Sequence, residues 1–218
     1  MKDVLQRIQL DLDFLASWML ANAFGFAIGE AIVVFFGGMI YVFGALVLGE
    51  SAVKAAGETL ARAAAITPLG LCLGVGQWLV LRNRLKKAEW WFVATLMGWI
   101  LAGVVLWALG GTGLAAPIGI GFMGTITDWL IAGARLGVTA GILQMFILPL
   151  PGYTKFLWPL LNGLGWAMGL ARGVLLVKPY NVFFGAMAGA FGGVFTGIFI
   201  HLLPIDSDKE TGYFVSTS

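Results

Sequence analysis

Charge is what this chain has least of. Only 11% of its 218 residues are Asp, Glu, Lys or Arg, while 60% are hydrophobic and the mean hydropathy is +0.93. Soluble domains carry about 25% charged residues, so a water-exposed globular domain is excluded. The net charge of +2 is too small, and its basic residues too confined to one short cluster, for a nucleic-acid-binding face. Cysteine occurs once, at Cys72 within an apolar run. That excludes a disulfide framework and a thiolate metal site, and leaves a small buried apolar side chain. Histidine also occurs once, at His201, and no nucleophile–base pair or metal cluster appears. The chain is therefore read as non-catalytic, with no metal and no cofactor required. Lys2 and Arg7 are interrupted by Asp3, Asp11 and Asp13, with no small-residue cleavage site after them, so the N-terminus reads as mature sequence.

What the chain does have is long apolar runs. A bilayer core of ~30 Å takes roughly 20 apolar residues in a helix. Six segments meet that length, about Phe14–Phe36, Leu60–Leu81, Trp90–Leu109, Trp129–Leu148, Phe156–Val177 and Val182–Leu203. The expected fold is an all-α integral membrane protein of six transmembrane helices, arranged as three repeated pairs over 14–81, 90–148 and 156–203. Arg82, Arg84, Lys86 and Lys87 follow the second span, and the positive-inside rule puts that loop and both termini in the cytoplasm. The expected location is a bacterial inner membrane, or an internal photosynthetic membrane where the source has one. Val4, Leu5, Ile8, Leu12 and Leu15 form one helical stripe, which predicts an interfacial helix over 1–13 ahead of a membrane domain at 14–204. Residues 205–218 read as a polar tail.

The repeat is visible residue by residue. Trp18/Asn22/Gly25-Phe26, Trp91/Thr95/Gly98-Trp99 and Trp158/Asn162/Gly165-Trp166 share one pattern. Between them run Gly70/Gly74/Gln77/Leu81, Gly137/Gly141/Gln144/Leu148 and a degenerate Gly193/Gly197/Ile200/Pro204. A constant offset of 67 residues separates Gly70 from Gly137, Gln77 from Gln144, Trp91 from Trp158 and Gly98 from Gly165. In lipid, small residues that let backbones approach dominate helix interfaces, so Gly70/Gly74, Gly137/Gly141, Gly193/Gly197, Gly25/Gly29 and Gly165/Gly169 predict tight, rigid seams.

Helical phase places the polar residues. Offsets of four and seven share a face, and a rise of ~1.5 Å per residue sets the depth. Asn22, Gln77, Thr95, Gln144 and Asn162 are thereby expected in one inward-facing layer near the cytoplasmic side. Such a layer either hydrogen-bonds across helices or lines a polar site. The intramembrane charges Glu30, Asp128, Arg135 and Arg172 are the other candidates, because each is costly in lipid. Asp128 suits a helix N-terminus, and Arg135 is expected to pair with Asp128 or Glu30. His201 is a weak candidate ligand for a pigment and reads first as an interfacial histidine. Tryptophans predict an aromatic belt, with Trp18, Trp90, Trp91 and Trp158 inside and Trp107 and Trp129 outside. Trp99 and Trp166 lie deeper, packed on a neighbouring helix or on a pigment or quinone. Gly119-Ile-Gly-Phe-Met-Gly124 spells G-x-G-x-x-G but lacks the strand–helix context of a dinucleotide site.

The segment Gly70-Leu-Cys-Leu-Gly-Val-Gly-Gln-Trp-Leu-Val-Leu-Arg82, followed by Trp90-Trp91, resembles uncharacterised bacterial polytopic membrane proteins that repeat a G-x-x-x-G-x-x-Q-W-L-V-L-R segment. The second copy departs at Met145 and Pro149, and the third loses the glutamine. The resemblance implies a fold and membrane residence, and it supplies no catalytic residue. The function expected is a scaffold subunit or assembly factor of a larger membrane complex, with a small transporter or channel, or a lipid, quinone or pigment binder, as alternatives. Membrane lipids and other membrane chains are the expected partners, the chains docking through the apolar outer segments 37–49 and 114–122.

Overall fold

The computed structural model describes residues 2–49, 67–82, 85, 88–108, 125–148, 153–176 and 182–202. The segment 114–122 and the tail 205–218 lie outside the described residues. The elements are helical: α1 (Lys2–Leu48), α2 (Thr67–Leu81), α3 (Ala88–Ala108), α4 (Ile126–Gln144), α5 (Thr154–Leu176) and α6 (Val182–Leu202). Helix is the form that lets a glycine-rich apolar chain satisfy its own backbone in lipid. Leu12–Phe36, Ile126–Gln144 and Phe183–Ile200 are long and apolar enough to cross a membrane. Thr67–Leu81 and Ala88–Val104 are shorter apolar helices.

The local signals are conventional. Pro68 stands in the first turn of α2, where a missing N–H costs nothing. Thr125 caps α4 through a reciprocal box, its hydroxyl accepting from the Asp128 N–H at 3.3 Å while Asp128 Oδ2 accepts from the Thr125 N–H at 2.7 Å. Pro159 lies within α5 and forfeits one backbone bond there. Two boundaries expected from the sequence are absent as breaks. α1 runs without interruption past residue 13 and on through the apolar segment 37–48. At 1.5 Å per residue its 47 residues extend ~70 Å, well beyond a bilayer core of ~30 Å. Its C-terminal end carries Met39, Val42, Phe43, Leu46 and Val47 exposed.

The helices close into a ring in chain order. Gly25 and Gly29 of α1 lie against the backbone of Cys72 and Leu69 in α2, and Gly70 and Gly74 of α2 against Trp99 and Phe92 in α3. Gly98 of α3 meets Ala140 of α4, and Gly133 and Gly137 of α4 meet the α5 backbone at Trp166 and Asn162. Gly165 and Gly169 of α5 meet Thr196 and Ala188 of α6, and Gly189 and Gly193 of α6 return to α1 at Asn22 and Met19. A methyl group at most of these positions would stand under 3.0 Å from a neighbour, so glycine is required for the helices to approach this closely.

Inside the ring the packing is layered. Phe26, Trp99 and Trp166, at corresponding repeat positions, meet pairwise with ring centroids 6.0, 5.6 and 5.3 Å apart. Two turns nearer the N-termini of the odd helices, Trp18, Trp91 and Trp158 form a second group, with centroids 6.0 Å and 5.8 Å apart along the chain of contacts. Each group anchors its own apolar cluster, the first with Leu69, Leu73, Leu136 and Phe184, the second with Phe14, Leu81, Leu85 and Leu148.

A buried amide layer as the candidate functional site

Between the two aromatic layers lies the polar one. The odd helices supply Asn22, Thr95 and Asn162, each one turn from a tryptophan below and an aromatic above; the even helices supply Gln77 and Gln144. All five are buried, with at most 4% of their surface exposed. Helical phase is sufficient to aim them inward, because each shares a face with the glycines that bring its helix against the next.

The side chains form one directed run of hydrogen bonds. Asn162 Nδ2 donates to Gln144 Oε1 at 3.4 Å and to the Gly137 carbonyl at 2.8 Å. Gln144 Nε2 donates to Thr95 Oγ1 at 2.9 Å, and the Thr95 hydroxyl donates to Gln77 Oε1 at 3.2 Å. Gln77 Nε2 donates to Asn22 Oδ1 at 2.8 Å, and Asn22 Nδ2 donates to the Trp18 carbonyl at 2.8 Å. Each link joins a different helix until the last, where the run ends on backbone. Chemically the layer is a cross-brace: amides and a hydroxyl hold one another and carry no charge.

The tryptophans correct one sequence expectation. Trp18, Trp91, Trp158 and Trp129 do not form an interfacial belt; all four are buried, and Trp90 alone of the described belt candidates is exposed. Trp91 Nε1 donates to Gln77 Oε1 at 2.9 Å and Trp158 Nε1 to Gln144 Oε1 at 3.0 Å, so each glutamine carbonyl serves the following odd helix. Trp18 repeats the gesture across the ends of the chain, donating to Thr196 Oγ1 at 3.0 Å. Thr196 is a site residue that the sequence reading missed. Its hydroxyl donates in turn to the Gly192 carbonyl at 2.8 Å, which positions its oxygen for the indole. The indole donors did leave a signal, because 14 residues separate Gln77 from Trp91 and Gln144 from Trp158. Thr196 left none, since it stands where the other even helices carry Leu73 and Ala140.

The charged candidates are not brought together. Asp128 is engaged by Thr125, whose hydroxyl also donates to Oδ2 at 2.8 Å. Glu30 of α1 lies in the seam with α6, its carboxylate packed against Gly185. Among the described residues neither forms the expected ion pair with Arg135: Asp128 is held in its own helix cap with Arg135 two turns further along α4, and Glu30 lies in a different seam, against Gly185 of α6. Arg172 is exposed, its guanidinium 6.0 Å from the Phe191 ring centroid. The side chain of His201 lies outside the described residues, and no group of metal-ligating side chains occurs among the described ones. Compared with known protein families, curated proteins and solved structures, the chain matches none, so its functional reading rests on this geometry.

Proposed function

We infer that the protein is a non-catalytic integral membrane component, a rigid six-span ring that serves as a scaffold subunit or assembly factor of a larger membrane complex in a bacterial inner membrane. Both termini lie in the cytoplasm in this reading. The observation that carries it is the filled interior: two aromatic layers enclose an amide layer whose members bond to one another. Transport along the ring axis would require breaking these contacts together. Trp99 and Trp166, which a pigment or quinone would have used, are occupied with each other and with Phe26. The exposed apolar end of α1, longer than a bilayer needs, supports a docking role.

Native purification in mild detergent, followed by mass spectrometry and an absorption spectrum, tests the reading. The expected result is a second membrane chain at fixed stoichiometry and a spectrum with only protein absorption. A lone monomer, or a co-purifying chromophore, would overturn it. A small transporter is the second reading, and the observation favouring it is Glu30, an acidic side chain within a span whose Oε2 is buried without a hydrogen-bond partner.

A further inference from the structure

α4 carries a charge at its centre that the ring does not use. Arg135 stands nine residues from Ile126 and nine from Gln144, so ~13.5 Å of helix separates it from either end. The neighbouring helix gives the same level, because Gly133 and Gly137, two residues to either side, meet α5 at Trp166 and Asn162 near the middle of its own length. Arg135 therefore lies in the middle of the span, at a height between the aromatic layer of Trp166 and the amide layer of Asn162. It belongs to neither. The face that α4 buries runs through Trp129, Gly133, Leu136, Gly137, Ala140 and Gln144. Arg135 is half-buried on the other side, sharing a row with Ile131 one turn before it and Ile142 two turns after it, both exposed. The repeat puts Pro68 and Phe191 at this position in α2 and α6, each two residues before a seam glycine as Arg135 is before Gly137. The charge is thus a departure of α4 alone.

A cation at the centre of a span is costly and persists where something pairs with it. The chain itself supplies no such partner. Between Glu58 and Asp206 the sequence holds two acids, Glu89 and Asp128. Asp128 is engaged by Thr125 at the N-terminal end of α4, and Glu89 is in the first turn of α3, beyond Thr95, which bonds Gln144 at the far end of α4. The connections on either side of α4, 109–124 and 145–153, contain no acid. Glu50 and Glu58 belong to the connection between α1 and α2, neither of which adjoins α4 in the ring, and Glu30 is enclosed against Gly185. Among the described residues the Arg135 guanidinium has no ion pair, hydrogen bond or ring contact, whereas Arg172 stands over Phe191. Lipid phosphates lie past the helix ends, and a three-methylene stem does not cover ~13.5 Å. Thr139, one turn on, donates to the Arg135 carbonyl at 2.8 Å and keeps an oxygen able to accept, where α2 and α6 have Cys72 and Phe195.

We propose that this flank of α4 seats a transmembrane helix of a different protein, and that a carboxylate near the middle of that helix pairs with Arg135. The proposal rests on the subunit reading and names the face and the chemistry of the partner. Apolar burial does not distinguish a helix interface from lipid, so a charge pair at low dielectric is what selects this partner. Ile131 and Ile142 give apolar contact on either side of the pair. A second copy of this chain does not supply the carboxylate, because Glu30, its one acid well inside a described span, is packed into its own seam.

The test uses the full chain in the membranes of its source cell, with a photo-crosslinking residue in place of Ile131. Peptide mass spectrometry is expected to find the product joined to a transmembrane segment of another protein that contains Asp or Glu. Co-purification of that protein is expected to fall at least about tenfold in Arg135→Leu, and as far when the partner's acid is changed to its amide, with no further loss when the two changes are combined. Arg135→Leu, purified without the partner, is expected to melt no lower than the wild type so purified, since leucine removes an uncompensated charge and no internal contact. Undiminished co-purification in Arg135→Leu overturns the Arg135 site and leaves the subunit reading standing; a wild type that purifies alone overturns both. A crosslink only to lipid or to a second copy, a captured segment without an acid, or a lower melting temperature of isolated Arg135→Leu also overturns the proposal.

Discussion

Gln77 uses both ends of its amide: the nitrogen donates to Asn22, and the oxygen accepts from the Trp91 indole and the Thr95 hydroxyl. Its replacement therefore strands three groups on two other helices. An unpaired buried polar group costs about 1–3 kcal/mol, so Gln77→Leu is expected to lower stability by about 3 kcal/mol in detergent melting. A loss below about 0.5 kcal/mol would show that the layer re-pairs around the gap. Thr196→Val keeps the shape and removes one acceptor, and the expected loss is smaller, about 1 kcal/mol. Trp18 fluorescence should shift in that variant while Trp91 and Trp158 keep their acceptors; an unchanged spectrum would argue that the Trp18 bond contributes nothing. Such layers are effective in membranes because apolar burial does not distinguish a helix interface from lipid, whereas hydrogen bonds do.

At the level of helices, the seams are set by glycines whose missing side chains are replaced by a neighbour's backbone. α4 and α5 are the clearest case, since a methyl at Gly133 or Gly137 would run into the main chain at Trp166 or Asn162. Backbone cannot rotate away as a side-chain tip can. Gly137→Ala is expected to destabilise by about 2–3 kcal/mol, in the range of overpacked cores, despite the better helix propensity of alanine. Leu164→Ala, on the exposed side of α5, should stay within about 0.5 kcal/mol. Equal effects of the two substitutions in thermal melts would sink the seam argument. Pro159 belongs to the same interface, its Cα 2.7 Å from where a Cβ on Gly141 would stand, so the proline and the glycine are complementary in shape.

For the whole molecule, closure matters more than any single seam. The bond between Trp18 and Thr196 joins residues 178 apart, so the last helix must be in place before the first can complete its layer. Two predictions belong at this scale. A cysteine introduced at Lys86 should be labelled by an impermeant maleimide only from the cytoplasmic side, and one at Lys178 only from the opposite side; labelling of both from one side would exclude the six-span topology. A photo-crosslinking residue at Phe43, on the exposed end of α1, should yield a product joined to a different chain in intact membranes. Exclusively intramolecular products would remove the main support for a subunit role.

The amide layer was legible in the sequence because helical phase and rise are local properties. Residues four and seven apart share a face whatever the helix packs against, and a repeat with a constant offset gives equivalent residues equivalent depths, so Asn22, Gln77, Thr95, Gln144 and Asn162 could be grouped before any contact was known. Glycine spacing marked the seams for the same reason. Three features were decided only by the tertiary structure. Tryptophans at 18, 91 and 158 have the amphipathic side chain that suits a lipid interface, and only the approach of a glutamine or threonine oxygen from another helix turns each indole inward. Thr196 becomes the closing acceptor because α6 sits beside α1, a relation that no local pattern encodes. Glu30 reads in the sequence as an isolated charge, and only the packing of α6 on α1 sets its carboxylate against Gly185. Local periodicity determines which way a side chain faces; what it meets there is settled by how the helices close around it.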